Sequence, residues 1–331
     1  MNRMTALLLA GIMLVSLCSA AAAEEWVFDR GITIVCPWGE GGGADSTIRP
    51  MSELLAEYLG VPVEVRNETG DSGVAGAAYA YSQPADGYTF LLGTQSLYIQ
   101  DLMGKMGFDF KDAFECETIL VHSINMLAGS RIQMEKYGVK TFSDLQAYVA
   151  AHPNEVSVAL QSATGVDGLC LEIATAGLAL NPVPYNSGDE ANSDMALGSV
   201  DLAVGGYDDM CVFIESGDIV PLLLFCEHRV AILPDCECSA ELNIDSYAGP
   251  WRAIFAKEGT PRGAIDAIVE AVEACRDDAT WQEFLKEAAY DQRDVPFPGD
   301  GTRAFCLREY KELRDYMLEH GTLAKDYDDL R

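Results

Sequence analysis

Residues 36–45 read Cys36-Pro37-Trp38-Gly39-Glu40-Gly41-Gly42-Gly43-Ala44-Asp45, and their flanks decide the fold class. Leading into them is Ile32-Thr33-Ile34-Val35-Cys36, a short apolar, β-branched run that Pro37 ends, as a strand would end. After them, residues 46–59 carry apolar side chains at Ile48, Met51, Leu54, Leu55 and Leu59, the spacing of one helix face. Strand, glycine-rich turn and helix make one β–α unit. Three successive glycines leave backbone N–H groups uncovered, and a helix N-terminus adds partial positive charge, so the turn favours an anion. Asp45 fits the N-cap of that helix, its carboxylate meeting orphan amides. The turn lacks the lysine of a P-loop and the spacing of a dinucleotide fingerprint.

The same unit recurs outward along the chain. Residues 61–65 and 89–92 read as strands, with a short alanine-rich helix at 76–82 between them. A second set follows: a helix at 141–151, a strand at 156–160, a helix at 167–178, then strands at 200–204 and 219–224. The tail predicts helices at 262–276, 278–289 and 301–318. Strands alternating with helices imply an α/β fold with parallel sheets. Two such sets and a returning helical tail predict two lobes, joined by strands crossing near 120–127 and 251–256. The expected division is 24–125 for the first part of lobe 1, 126–250 for lobe 2 and 251–331 for the returning part of lobe 1. There is no internal repeat and no low-complexity linker.

Residues 1–23 read as an address rather than structure. Arg3 supplies positive charge, residues 5–17 are apolar, and small residues follow to an Ala21-x-Ala23 pattern before Glu24. That is a secretory signal with cleavage after Ala23, and its apolar run is too short to span a membrane. Leu17 before Cys18 is not the small residue a lipoprotein signal needs. The expectation is an exported mature chain of about 308 residues that does not insert into the membrane.

The chain carries 52 acidic and 22 basic residues, a net charge of −30. Such a field argues against nucleic acid or an anionic membrane surface as partner. An anionic ligand would have to be held by local donors against it. Of ten cysteines, nine follow residue 23; an odd, scattered set reads as buried thiols, with one or two bridges allowed, rather than a disulfide framework. Cys226, His228, Cys236 and Cys238 do not have the spacing of a zinc site and read as a loop. No metal or cofactor is expected.

Enzyme signatures fail one by one. Gly70-Asp71-Ser72-Gly73 resembles the serine-protease nucleophile, but Val74 stands where a glycine belongs and His122, His152, His228 and His320 all follow Ser72. Neither H-E-x-x-H nor G-x-S-x-G occurs.

Seven segments then come in one order: residues 37–45, Asn67-Glu-Thr-Gly-Asp-Ser-Gly73, Pro84-Ala-Asp-Gly-Tyr-Thr-Phe-Leu-Leu-Gly-Thr94, Val183-Pro-Tyr-Asn-Ser-Gly188, Leu197-Gly-Ser-Val-Asp-Leu202, Leu233-Pro-Asp235 and Phe255-Ala-Lys-Glu-Gly-Thr-Pro261. In this order they resemble the Bug-type extracytoplasmic solute receptors, the binding subunits of tripartite tricarboxylate transporters. The resemblance implies a two-lobed periplasmic binding-protein fold of the Venus-flytrap type, with a small organic carboxylate held between the lobes. It also implies delivery to membrane permease subunits and no catalysis; the mature chain is expected to be a monomer. A ligand-sensing co-receptor for a sensor kinase is the alternative on the same fold. Carried over by position, the first-lobe ligand residues are Trp38, Gly42, Gly43, Asp45, Ser72, Thr94 and Ser96. Those of the second lobe are Ser162, Thr164, Gly165, Asp167, Tyr185, Asn186, Tyr207 and Asp208.

The chain departs from the family pattern at Glu40, where a neutral residue is usual, and at Trp38 in place of the more frequent Phe. Asp167 and Asp208 have two readings: partners for an amino group, as a zwitterionic ligand would need, or a helix cap and a solvated loop charge. The duller pair is the expectation. The ligand stays open among di- and tricarboxylates, aromatic acids and amino acids.

Overall fold

The computed structural model describes residues 26–325 apart from 161–169, 172, 173, 186, 187, 247, 248, 297 and 320. The address segment at 1–23 therefore lies outside the described residues.

Two sheets organise the molecule. The first has the order β2-β1-β3-β11-β4, with β1 Ile32–Cys36, β2 Val63–Asn67, β3 Thr89–Gly93, β4 Phe114–His122 and β11 Trp251–Lys257. β1 pairs in parallel with both β2 and β3, Ile34 standing opposite Val65 and Phe90. β11 runs antiparallel to β3 and to β4. β1 is covered on both faces, which is why it reads as an unbroken apolar run.

Alternate side chains feed two cores. Ile32, Ile34, Leu92 and Ile254 join Ile48, Met51 and Leu55 of helix α1 (Gly43–Leu59) on one face. Val35, Leu91 and Phe255 point to the other, towards helix α3 (Gln95–Leu102) and the C-terminal helix α8 (Asp300–Glu319). Helix α2 (Val74–Ser82) continues from the Gly70–Gly73 turn. Helices α6 (Arg262–Cys275) and α7 (Ala279–Glu287) complete the first face, with Ile265, Ile268 and Trp281 buried.

The second sheet has the order β10-β9-β5-β8-β6-β7, built from β5 Asn125–Ser130, β6 Ser157–Leu160, β7 Asn181–Pro184, β8 Leu202–Gly206, β9 Ile219–Leu224 and β10 Glu237–Cys238. β5 is antiparallel to its neighbours β8 and β9, while β6 is parallel to β7 and β8. β7 ends the order and carries Pro182 and Pro184, residues that an edge strand tolerates. Helix α4 (Phe142–Ala151) starts at a capping box on Thr141 and Asp144, and helix α5 (Tyr207–Ser216) leaves the end of β8.

The chain passes from the first sheet to the second between His122 and Asn125, and is back in the first by Trp251. It forms two α/β lobes. Among the described residues no helix is long and apolar enough to cross a membrane. All nine described cysteines are free, eight buried and Cys211 partly so.

Candidate functional site

The glycine loop leaves β1 and enters α1 at the C-terminal end of the parallel strands, the end where open α/β sheets hold ligands. Asp45 is not the N-cap. That position belongs to Gly42, which has no side chain to cap with, and Asp45 is the third residue of the helix. Its buried carboxylate turns back to accept the Gly41 N–H at 2.9 Å, Arg49 Nε at 2.7 Å and Asn67 Nδ2 at 2.8 Å. Asn67 Nδ2 also donates to the Trp38 carbonyl at 2.9 Å, and its Oδ1 accepts from Arg49 Nη2 at 2.9 Å. Burial alone would raise the Asp45 pKa, but these donors together hold it below the usual carboxylate range. The loop is thus pinned from one side by Asp45, Arg49 and Asn67, while the first-turn amides of α1 keep no cap from Gly42.

Two neighbouring turns end beside this loop. Asp71 and Ser72 have φ of 48° and 55°, left-handed values that cost non-glycine residues energy and mark a turn held by its surroundings. Trp38 packs against this turn: a side chain on Gly73 would lie 3.3 Å from its ring. Thr94 caps α3, its Oγ1 accepting the Ser96 N–H at 3.1 Å. Trp38, Gly42, Gly43, Asp45, Ser72, Thr94 and Ser96 therefore all follow the ends of β1, β2 and β3 or open the helices after them. Glu40 is exposed.

On the facing lobe, Asp208 corrects the sequence reading. It lies in the first turn of α5, not in a loop, and it is not solvated: its side chain is 10% exposed. One oxygen accepts Ser123 Oγ at 2.7 Å; the other accepts Arg252 Nη2 at 2.9 Å and the Tyr290 hydroxyl at 3.0 Å. Arg252 Nη1 also donates to that hydroxyl at 2.7 Å. Arg252 stands on β11 and its side chain is 8% exposed, so the pair joins the lobes through a buried contact. Burial opposes charge on Asp208, but Arg252 and the hydrogen bonds from Ser123 and Tyr290 hold its pKa low. Burial likewise acts against the Arg252 cation and is outweighed by Asp208.

Close approach explains two glycines here. A side chain at Gly43 would overlap Arg252 Nη2, and one at Gly206 would overlap Asp208 Oδ1. The inter-lobe pair is therefore pressed against the glycine loop itself. Tyr207 is half-buried beside Asp208, its N–H donating to the Ile124 carbonyl at 2.9 Å. Tyr185 is not drawn into this group; its hydroxyl donates to Asp194 at 2.9 Å, and burial followed by Asp194 pushes its pKa up to about 12. Ser162, Thr164, Gly165, Asp167 and Asn186 lie outside the described residues.

Arg252, Tyr290, Ser123, Arg49 and Asn67 are site residues that the sequence reading missed. One signal was available for Arg252: a lone charge inside Trp251-Arg-Ala-Ile-Phe-Ala256, a run that must be buried, requires a buried counter-charge.

Comparison with known proteins now bears on this geometry. Residues 47–295 match the model of the tripartite tricarboxylate transporter family receptor. The chain belongs to that family. Protein BugT of Bordetella pertussis is 26% identical over 98% of this chain and its own full length. Among solved structures, R. palustris Rpa4515 with adipate superposes with a TM-score of 0.72 at 24% identity, covering 89% of this chain and 97% of that one. The periplasmic binding protein BugD gives 0.71 at 23%, covering 89% and 99%. MatC of Rhodopseudomonas palustris with bound malate gives 0.69 at 21%, covering 87% and 99%. Members of this receptor family are periplasmic solute-binding proteins that serve transporters, not enzymes.

Proposed function

We propose that this chain captures a small carboxylate outside the cytoplasmic membrane, between the glycine loop of lobe 1 and the start of α5 in lobe 2, and presents it to a tripartite transporter. The observation that carries the reading is the Asp208–Arg252 pair, buried between the lobes and pressed against Gly43. A contact of that kind exists only while the lobes are together. A ligand touching both sides stabilises this closed form by its differential affinity for it.

The uncapped first turn of α1 offers N–H donors and the positive end of a helix dipole, both suited to a carboxylate. Exclusion of water between the lobes strengthens such contacts. Asp208 already accepts three hydrogen bonds, which leaves it poorly placed to serve an ammonium group. This favours a plain di- or tricarboxylate over an amino acid. Relatives solved with adipate and with malate support the same class. The chain's net charge of −30 makes local donors, rather than the overall field, the source of affinity.

Thermal unfolding of the mature protein against di- and tricarboxylates, aromatic acids, amino acids and neutral sugars tests the proposal. A ligand at 100 times its Kd should stabilise the chain by about 2.7 kcal/mol, a shift of several degrees. A shift confined to amino acids would overturn the plain-carboxylate assignment. A panel with no shift, from protein unfolded and refolded to remove anything already bound, would overturn the receptor reading.

A further inference from the structure

A cavity of about 630 Å³ lies behind the crossing strands, on the side away from the glycine loop. The sheet orders place it there. In front of the crossing, the ends of β1, β3 and β11 face the end of β8, where Asp208 meets Arg252. Behind it, the end of β4 faces the segment that follows β9. The cavity is lined by His122 at the end of β4, Arg308 on α8, Glu227 and Arg229 after β9, and Arg293 and Asp294 in the segment leading to α8. Its walls therefore come from both lobes.

Its chemistry inverts that of the whole chain. Three guanidinium groups face two carboxylates here, in a protein whose acidic residues outnumber its basic ones 52 to 22. Arg229 is committed to Glu241, at 2.9 Å to each carboxylate oxygen. Arg293 Nη2 stands 3.9 Å from Glu227 and its Nη1 donates to the Ser123 carbonyl at 3.5 Å, and Arg308 Nε stands 3.9 Å from Glu312. His122 is 5% exposed, and its buried Nε2 has no hydrogen-bond partner. Such a nitrogen is costly to bury unless something in the cavity meets it. Burial, and then the charges of Arg293 and Arg308, keep the imidazole neutral, so the tautomer protonated at Nε2 is a donor.

We propose that this rear cavity is a second anion site, which takes a small organic carboxylate between His122 Nε2 and the guanidinium groups of Arg293 and Arg308. Its volume lies in the range of small-molecule pockets. An occupant there touches both lobes behind the crossing. Binding in the rear cavity does not rest on the front-closure reading given above.

The test is to titrate histidine-labelled mature protein with succinate and follow the four histidine side chains by NMR. The His122 signal should shift saturably below about 50 mM, and potassium chloride at matched ionic strength should not shift it. In Arg293→Met the saturable shift should vanish. Arg308→Gln, a milder change at an exposed residue, should weaken it about threefold. An unmoved His122 signal overturns the site, as does an equal shift with chloride. A shift that survives both substitutions comes from elsewhere in the molecule and also overturns it. The front cleft is read separately, by the part of the fluorescence response to succinate that Trp38→Phe removes. A front response without a His122 shift defeats the rear site alone, and a His122 shift without a front response defeats the front reading alone.

Discussion

Asp45 and Asp208 flank the same glycine loop, and they work in opposite directions. Asp45 draws its donors, Gly41, Arg49 and Asn67, from lobe 1 alone. It fixes the shape of the loop whatever lobe 2 does. Asp208 stands in lobe 2 and takes Arg252 and Tyr290 from the other lobe. Its bonds depend on closure. Both are buried carboxylates held in the ionised form, so burial and charge alone do not tell a structural group from a moving one. The origin of the donors does.

The largest effect should follow from Asp208→Ala. Removing one partner of a buried pair costs about 3–5 kcal/mol, and open lobes recover part of that by rehydrating Arg252. Ligand affinity should therefore fall about 100-fold, with little change in the melting temperature of the ligand-free protein, and Arg252→Met in the same chain should restore much of the affinity. A large drop in ligand-free melting temperature with only a modest loss of affinity would make Asp208 a second Asp45.

Asp45→Ala should do the reverse. Three donors lose their acceptor, and stability should drop by about 1–3 kcal/mol, read as a lower urea midpoint. Affinity should weaken as the loop loosens. Unchanged stability would mean that the loop holds its shape without the carboxylate.

Gly43→Ala places a methyl group on Arg252 Nη2 and should weaken binding about tenfold with the fold intact. Calorimetry that finds wild-type affinity would show that Arg252 leaves the loop when ligand enters.

The pH dependence separates these two aspartates from two other carboxylates. Asp45 and Asp208 have lowered pKa values, so their contribution is complete above the ordinary 3.8 and is lost as pH falls through the lowered value. Glu117 and Glu309 are pushed up to about 7, first by burial and then by Glu115 and Glu312 respectively. They favour the folded state fully below the ordinary 4.5, and that advantage is lost as pH rises towards 7. Melting temperature should therefore rise by a few degrees from pH 8 to pH 5 and fall below pH 4. A Glu309→Gln chain that keeps the whole rise would remove Glu309 from the account.

Much of the fold was legible because its strands are buried on both faces. β1 and β9 have the bounds that their apolar runs suggest, and α1 and α8 lie where the periodicity of residues 46–59 and 301–318 puts them. Helix α5 was missed for a physical reason. It opens on Tyr207-Asp208-Asp209, buries Met210, and leaves Val212 70% exposed, so its apolar spacing is weak. β5, Asn125-Met-Leu-Ala-Gly-Ser130, contains no β-branched residue to mark it.

The glycine loop could be read because its chemistry is local in sequence. The inter-lobe pair could not, because Asp208, Arg252 and Tyr290 are brought together only by the return of the chain to the first sheet. For the same reason Asp45 looked like a cap: its sequence position fits one, and its partner Asn67 arrives from another strand.

The most direct test of the account is a crystal structure of the mature protein with the carboxylate that stabilises it most. The account predicts a ligand carboxylate within hydrogen-bond distance of the Gly43 or Ala44 N–H, with the Asp208–Arg252 pair in place behind it. A ligand bound outside the space between the glycine loop and α5, with those amides facing only water, would contradict it.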